Sequence, residues 1–360
     1  MRASWGVAKL GVAVNDSTPP QFMTLRDIAR DAGVSLATVD RVLHNRPRVS
    51  PETAVRVKEA MERHAFRPHS GAVELARGRP RRFAFVMPSG PNPFMRQILD
   101  GVAEMSGWML ARRISAEIVA TNVFDPETLA VTLESLPDDI DGVAVVALDH
   151  PRVRVAIDDL VKNRKQVVTL VSDVPASQRH HYVGVDNIAA GRTAGALLGG
   201  LLGQRAGRVA VVAGSQSLRD HAERILGFRQ VMCAEFPRLD VLPVAEGRDE
   251  DVCSERLTTM MLSEHKDIIG LYNVGAGTPG VAKALIDSGR AGEVVFLGHD
   301  LTELTRRLLT RGEMTAVISQ NPGREAYAAV RVLLALARGE PILHDLEKIG
   351  IDIIMRDNIP

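Results

Sequence analysis

Two hydrophobic periods divide the chain. Between residues 23 and 66 apolar positions recur at helical spacing, predicting a helix, a tight turn at Gly33, a second helix and a third. Thr24 and Asp27 stand in capping-box order at the start. Ile28, Ala32, Val39, Val42 and Leu43 are predicted to form a small core, leaving Ser35, Leu36, Ala37, Thr38, Asp40 and Arg41 outward. Ser50-Pro51-Glu52 then opens the third helix with a cap and a proline at its first position, and Ala54, Val57 and Met61 share one face. From Phe83 the pattern changes: short β-branched runs alternate with helix-length amphipathic stretches. Strands are predicted at about 83–88, 116–120, 142–147, 166–171, 182–185, 208–213, 239–244, 269–273, 293–298 and 314–319. Such alternation builds parallel sheets covered by helices on both faces, and this many strands divides naturally into two lobes.

The spacing around Gly33 is that of a helix-turn-helix, in which a small residue turns the chain fast enough for one helix to brace another in a DNA major groove. A solvated three-helix bundle with no ligand is the plainer reading, and charge weakens it. Residues 23–80 hold 11 Lys and Arg against 7 Asp and Glu, whereas residues 81–360 hold 31 against 36, so the overall neutrality hides a basic head on an acidic body. Arg46, Arg48, Arg56, Lys58, Arg63, Arg67, Arg77 and Arg79 can neutralise phosphate or simply be solvated. The 45% hydrophobic content is ordinary for a globular protein, and no run has the apolar length of a membrane span. Cys233 and Cys253 lack metal spacing and read as buried thiols in a reduced cytoplasmic setting. Residues 1–22 read as a disordered extension, with Met23 as the expected native start.

Ligands of open α/β sheets bind beyond the carboxyl ends of strands, where this chain concentrates polar, glycine and proline residues. Asn92 and Phe94 follow the first predicted strand, Asp173 the fourth, Asn273 the eighth, Asp300 the ninth and Gln320 the tenth, with Arg224 nearby. Acceptors, amides, a guanidinium and one aromatic ring suit a polyhydroxylated small molecule, although each residue alone is more often a turn or cap. Asp149 and His150 are either further cleft residues or a helix cap.

Ala32-Gly33-Val34-Ser35, Thr38-Val39, Arg41-Val42-Leu43 and Val49-Ser50 closely resemble the DNA-binding head of the LacI/GalR family of bacterial transcription regulators, and the remainder resembles its periplasmic-binding-protein-like effector domain. The resemblance implies a helix-turn-helix domain at 23–68, a hinge helix and linker at 69–80, and a two-lobed α/β effector domain at 81–360. Its N-lobe would comprise about 81–186 and 322–338, its C-lobe about 187–321 and 339–360. By analogy Leu36, Ala37 and Arg41 read bases, Arg41 as a bidentate guanine donor. Thr24, Ser35, Thr38, Arg48 and Ser50 match phosphate-contacting positions, His44 and His69 further DNA-facing ones, and Leu75 the hinge leucine that wedges into the minor groove. Asp40 replaces the usual serine, and Met95 stands where a second aromatic is frequent. Asn92, Phe94, Asp173, Arg224, Asn273, Asp300 and Gln320 fall on or near sugar-gripping positions.

The resemblance implies a regulator, not an enzyme, without metal or cofactor, that binds palindromic double-stranded operator DNA and a sugar-like effector in the cytoplasm. No heptad helix follows the last strand, so the expected assembly is a homodimer rather than a tetramer. Two rivals remain. Gly275-Ala-Gly277-Thr-Pro-Gly280 follows a strand, with Asp300 about 20 residues on as a dinucleotide-binding oxidoreductase requires, though Pro279 interrupts the loop and the motif does not open the sheet. A transport-type solute-binding protein would share the two-lobed body but not the helix-turn-helix head.

Overall fold

The computed structural model describes residues 25–43, 49–63, 80–90, 92–343 and 349–360. The 1–22 extension, Thr24, His44, Arg48, His69 and Leu75 lie outside them, as does the side chain of Asp40. The chain divides into two units between Arg79 and Pro80.

In the first unit, α1 (Leu25–Asp31), α2 (Leu36–Leu43) and α3 (Pro51–Arg63) close around Ile28, Ala29, Ala32, Val39, Val42, Val57 and Ala60. Gly33 takes φ +64°, the left-handed conformation that a fast turn requires of a residue without Cβ. Ser35 caps α2 through the Thr38 amide at 3.2 Å, and Ser50 caps α3 through the Thr53 amide at 3.3 Å. An ion pair at 2.9 Å, Arg63 to Asp31, ties α3 to α1.

The second unit contains two sheets. Strands β1 (Arg81–Pro88), β2 (Ile114–Thr121), β3 (Gly142–Val145), β4 (Gln166–Leu170) and β5 (His181–Val183) form the first, all parallel, in the order β2-β1-β3-β4-β5. The second has the order β12-β11-β10-β9-β6-β7, with β8 also paired to β6. Its strands are β6 (Gly207–Ala213), β7 (Leu239–Val241), β8 (Ala245–Glu246), β9 (Ile268–Asn273), β10 (Val295–His299), β11 (Ala316–Gln320) and β12 (Ile351–Ile354). Only β12 runs antiparallel, against β11. The sequence pattern missed β8 and β12: the first has two residues, and the second follows a helix with no second apolar run to pair with in sequence.

Both sheets are covered on both faces, which is why their central strands, such as β1, β3, β4 and β6, are continuously apolar and buried. Phe83, Phe85 and Met87 of β1 face a core shared with α4 (Pro93–Glu104), α5 (Ser106–Ala111) and α13 (Pro322–Arg338), while Ala84 and Val86 face α6 (Pro126–Glu134) and α7 (Pro151–Lys162). In the second sheet Val209, Val211 and Ala213 face α8 (Asn187–Leu202) and α9 (Arg219–Glu235). Ala210 and Val212 face α10 (Asp251–Glu264), α11 (Thr278–Asp287) and α12 (Glu303–Arg311). The chain thus passes from the first lobe to the second after β5, returns with α13, and passes back for β12. Neither cysteine is the buried thiol expected: Cys233 is exposed on the solvent side of α9 and Cys253 is half-buried.

Candidate ligand cleft and nucleic-acid surface

A cavity of about 490 Å³ lies between the lobes, at the carboxyl ends of the strands. Its wall on the first lobe begins where β1 ends. Asn92 caps α4, accepting from the Phe94 amide at 3.0 Å and the Met95 amide at 3.3 Å, with Pro93 fixing the first helical position. This cap seats the Phe94 ring in the lobe's core and at the cavity wall.

Arg224 projects from α9, which packs unusually close to α8. A Cβ at Gly191 would lie 2.0 Å from the Arg224 carbonyl oxygen, and one at Gly227 2.2 Å from that of Ile188. The guanidinium, buried at the cavity wall, donates from Nε to Asn187 Oδ1 at 2.8 Å and from Nη1 to the Val274 carbonyl at 3.0 Å. With the Gln320 amide oriented to satisfy both neighbours, its oxygen accepts from Arg224 Nη2 and its nitrogen donates to Glu325 Oε1, each at 3.2 Å. Gln320 therefore holds Arg224 from behind.

Burial pushes the Asp300 carboxyl up to about 6, with Arg224 opposing, and Asp300 keeps φ +68° at the end of β10. Fully buried Glu325 is held well above the usual carboxylate range by desolvation and by Asp300. Burial drives His299 well below its ordinary value, and its Nε2 lies 2.7 Å from the Tyr272 hydroxyl, so this imidazole is neutral.

Of the seven cleft residues expected, Asn92, Phe94, Arg224 and Asp300 line the cavity, and Asp173, Asn273 and Gln320 do not. Asp173 is held by Arg179, by the Thr169 hydroxyl at 2.6 Å and by the Val174 amide at 2.8 Å, which orders its own loop. Asn273 turns its amide nitrogen onto the Gly275 and Ala276 carbonyls and the Thr278 hydroxyl, fixing the turn into α11. His150 caps α7 and Asp149 pairs with Arg154 and Arg219, and neither residue lines the cavity.

Sequence reasoning missed Asp220, His221 and Asp249, all of which line the cavity. Asp220 and His221 stand in the first turn of α9, and His221 Nδ1 accepts the Ser215 amide at 3.2 Å. Asp249 precedes α10 with φ +57°, accepts the Ala276 amide at 3.0 Å, and has its pKa raised by burial.

On the first unit, Ser35, Leu36, Ala37 and Arg41 are exposed and Thr38 is half-buried, so α2 presents a mixed polar and apolar surface with a guanidinium in its last turn. Such a face matches the chemistry of base edges and phosphates.

Residues 24–69 match the profile of bacterial regulatory proteins of the lacI family, and residues 83–341 match that of the periplasmic binding protein domain. The chain belongs to the LacI/GalR family of transcriptional regulators. It is 26% identical to the HTH-type transcriptional regulator GalR of Salmonella typhimurium, over 80% of this chain and 82% of that protein. With the HTH-type transcriptional regulator DegA of Bacillus subtilis it shares 25% identity, over 58% of this chain and 60% of DegA's length. Its fold is that of GanP, a glucose-galactose binding protein from Geobacillus stearothermophilus, with TM-score 0.70 and 22% identity over 79% of this chain and all of that one.

LacI/GalR membership favours the regulator over the dinucleotide-binding rival, and the glycine motif has another explanation. A Cβ at Gly280 would lie 1.9 Å from the Asp251 carbonyl oxygen, and one at Gly277 2.3 Å from the Ser254 hydroxyl. These glycines let α11 pack against α10. Among the described residues, no helix is long and apolar enough to cross a membrane.

Proposed function

We propose that this chain is a cytoplasmic, dimeric repressor whose affinity for palindromic operator DNA is set by a small sugar or sugar derivative bound between its lobes. The observation that carries this reading is one chain combining an exposed helix-turn-helix face around Arg41 with a cleft walled by Asn92, Phe94, Arg224 and Asp300. Leu36, Ala37 and Arg41 read base edges, while Ser35, Thr38 and Ser50, with Thr24, His44, Arg48 and His69, bind or face the DNA backbone. Ligand bound to both lobes favours one lobe arrangement over another, and the segment 69–80 with Leu75 transmits that difference to DNA. Because the two sites are coupled, DNA changes ligand affinity by the same factor.

The test is a thermal-shift screen of the full chain against sugars, polyols and sugar acids, followed by anisotropy titrations on palindromic DNA selected from genomic fragments. A compound that both stabilises the chain and changes its DNA affinity supports the reading. Failure of every carbohydrate, with a purine or amino acid succeeding, overturns the ligand class; failure of all palindromes overturns the regulator.

A further inference from the structure

The charge in the cleft is one-sided. The first lobe contributes only uncharged groups, among them Ser89, Asn92, Phe94 and Asn122. From the second lobe come five carboxyl groups, Asp220, Asp249 and Asp300 among them, against two guanidinium groups, Arg224 and Arg248. Arg224 is already engaged at three nitrogens, with Asn187, Val274 and Gln320. Arg248 is exposed, on the outer part of its loop.

Within this cluster Asp220 is 5% exposed, and its Oδ1 has no hydrogen-bond partner. Its other oxygen lies 3.7 Å from His221 Nε2, too far for a hydrogen bond. A buried carboxyl oxygen without a hydrogen-bond donor is unfavourable, and a ligand ammonium group supplies both the donor and the matching charge. A phosphate or carboxylate at the same place adds negative charge beside this cluster of carboxyl groups and leaves Asp220 Oδ1 without a donor.

Resting on the proposed sugar-like effector, we propose that the cleft selects an amine-bearing polyol: its ammonium group meets Asp220 on the second lobe, and its ring and hydroxyl groups meet Phe94, Asn92 and Asn122 on the first. Phosphorylated and carboxylated sugars are excluded.

The test titrates the full chain calorimetrically at pH 7.5 with glucose, galactose and mannose, with their 2-amino-2-deoxy counterparts, and with their 6-phosphates. The expected result is that at least one amino sugar binds tenfold or more tighter than its neutral counterpart, that no 6-phosphate binds, and that Asp220→Asn brings the preferred pair to parity. The wild-type comparison stands alone if that variant does not fold. Neutral sugars binding as tightly as amino sugars, or a 6-phosphate binding most tightly, overturns the inference and leaves the sugar-derivative effector standing. If none of the nine compounds binds, the inference falls, and the wider carbohydrate screen decides the sugar-derivative effector separately. An unchanged preference in folded Asp220→Asn removes Asp220 as the determinant and overturns the inference.

Discussion

Asp300 gives the site a titration that stability measurements can read. Its carboxyl, ordinarily near 3.8, is pushed up to about 6, chiefly by burial. A carboxyl with a higher pKa folded than unfolded binds its proton more tightly in the native chain, so stability falls as pH rises from 3.8 to about 6 and the full cost is present above that window. The difference corresponds to about 3 kcal/mol, of which about 2 kcal/mol falls between pH 4.5 and 7.5. Asp300→Asn removes the titration, keeps a polar side chain of the same shape, and tolerates the left-handed backbone at φ +68°. Urea denaturation of both proteins at pH 4.5 and 7.5 is expected to show the variant gaining about 2 kcal/mol relative to wild type at the higher pH. A difference that does not change with pH refutes the argument, because the carboxylate would then already be ionised in the native cleft at pH 4.5, held by Arg224.

Three further outcomes follow from local geometry. Gly280→Ala places a methyl group 1.9 Å from the Asp251 carbonyl, so α10 and α11 must separate; a loss of about 3 kcal/mol or more in a denaturant melt is expected, and a near-neutral change contradicts the packing role of the motif. Asn92→Ala removes the cap of α4 and is expected to lower stability by about 1 kcal/mol while loosening Phe94, seen as weaker ligand binding. Arg41→Ala is expected to weaken binding to selected palindromes by about 1–3 kcal/mol and to unrelated DNA far less, as competition anisotropy would show.

The architecture was legible because its signals are local. The glycine at position 33, the cap at Ser50, and apolar runs of strand length each act within a few residues, and the structure keeps them. Strand ends made the cleft legible where the residue faces inward, as Asn92 and Asp300 do, whereas Arg224, inside α9, was reached through the family resemblance. Asp173 follows β4 and Asn273 ends β9, yet partners nearby in sequence, Arg179 and the 275–278 turn, claim their polar atoms. Asp220 and His221 escaped because they stand at the start of a helix, after a loop, and only the packing of α9 on α8 turns them inward. Asp249, in the run Arg248-Asp-Glu-Asp251, reads as a solvated turn until its two consecutive left-handed residues, Arg248 and Asp249, fold it back under the Ala276 amide. Gln320 and Glu325 lie behind Arg224, a relation that no linear spacing encodes.

In the proposed function, cleft and helix-turn-helix are thermodynamically coupled on this chain. The most direct measurement of that coupling takes one carbohydrate that raises the melting temperature, titrates it with and without a bound palindromic fragment, and titrates the DNA with and without that carbohydrate. Coupling requires the same factor in both directions, on the order of 5 to 150. A ligand that binds identically in the presence and absence of DNA, with DNA affinity likewise unchanged, would contradict it.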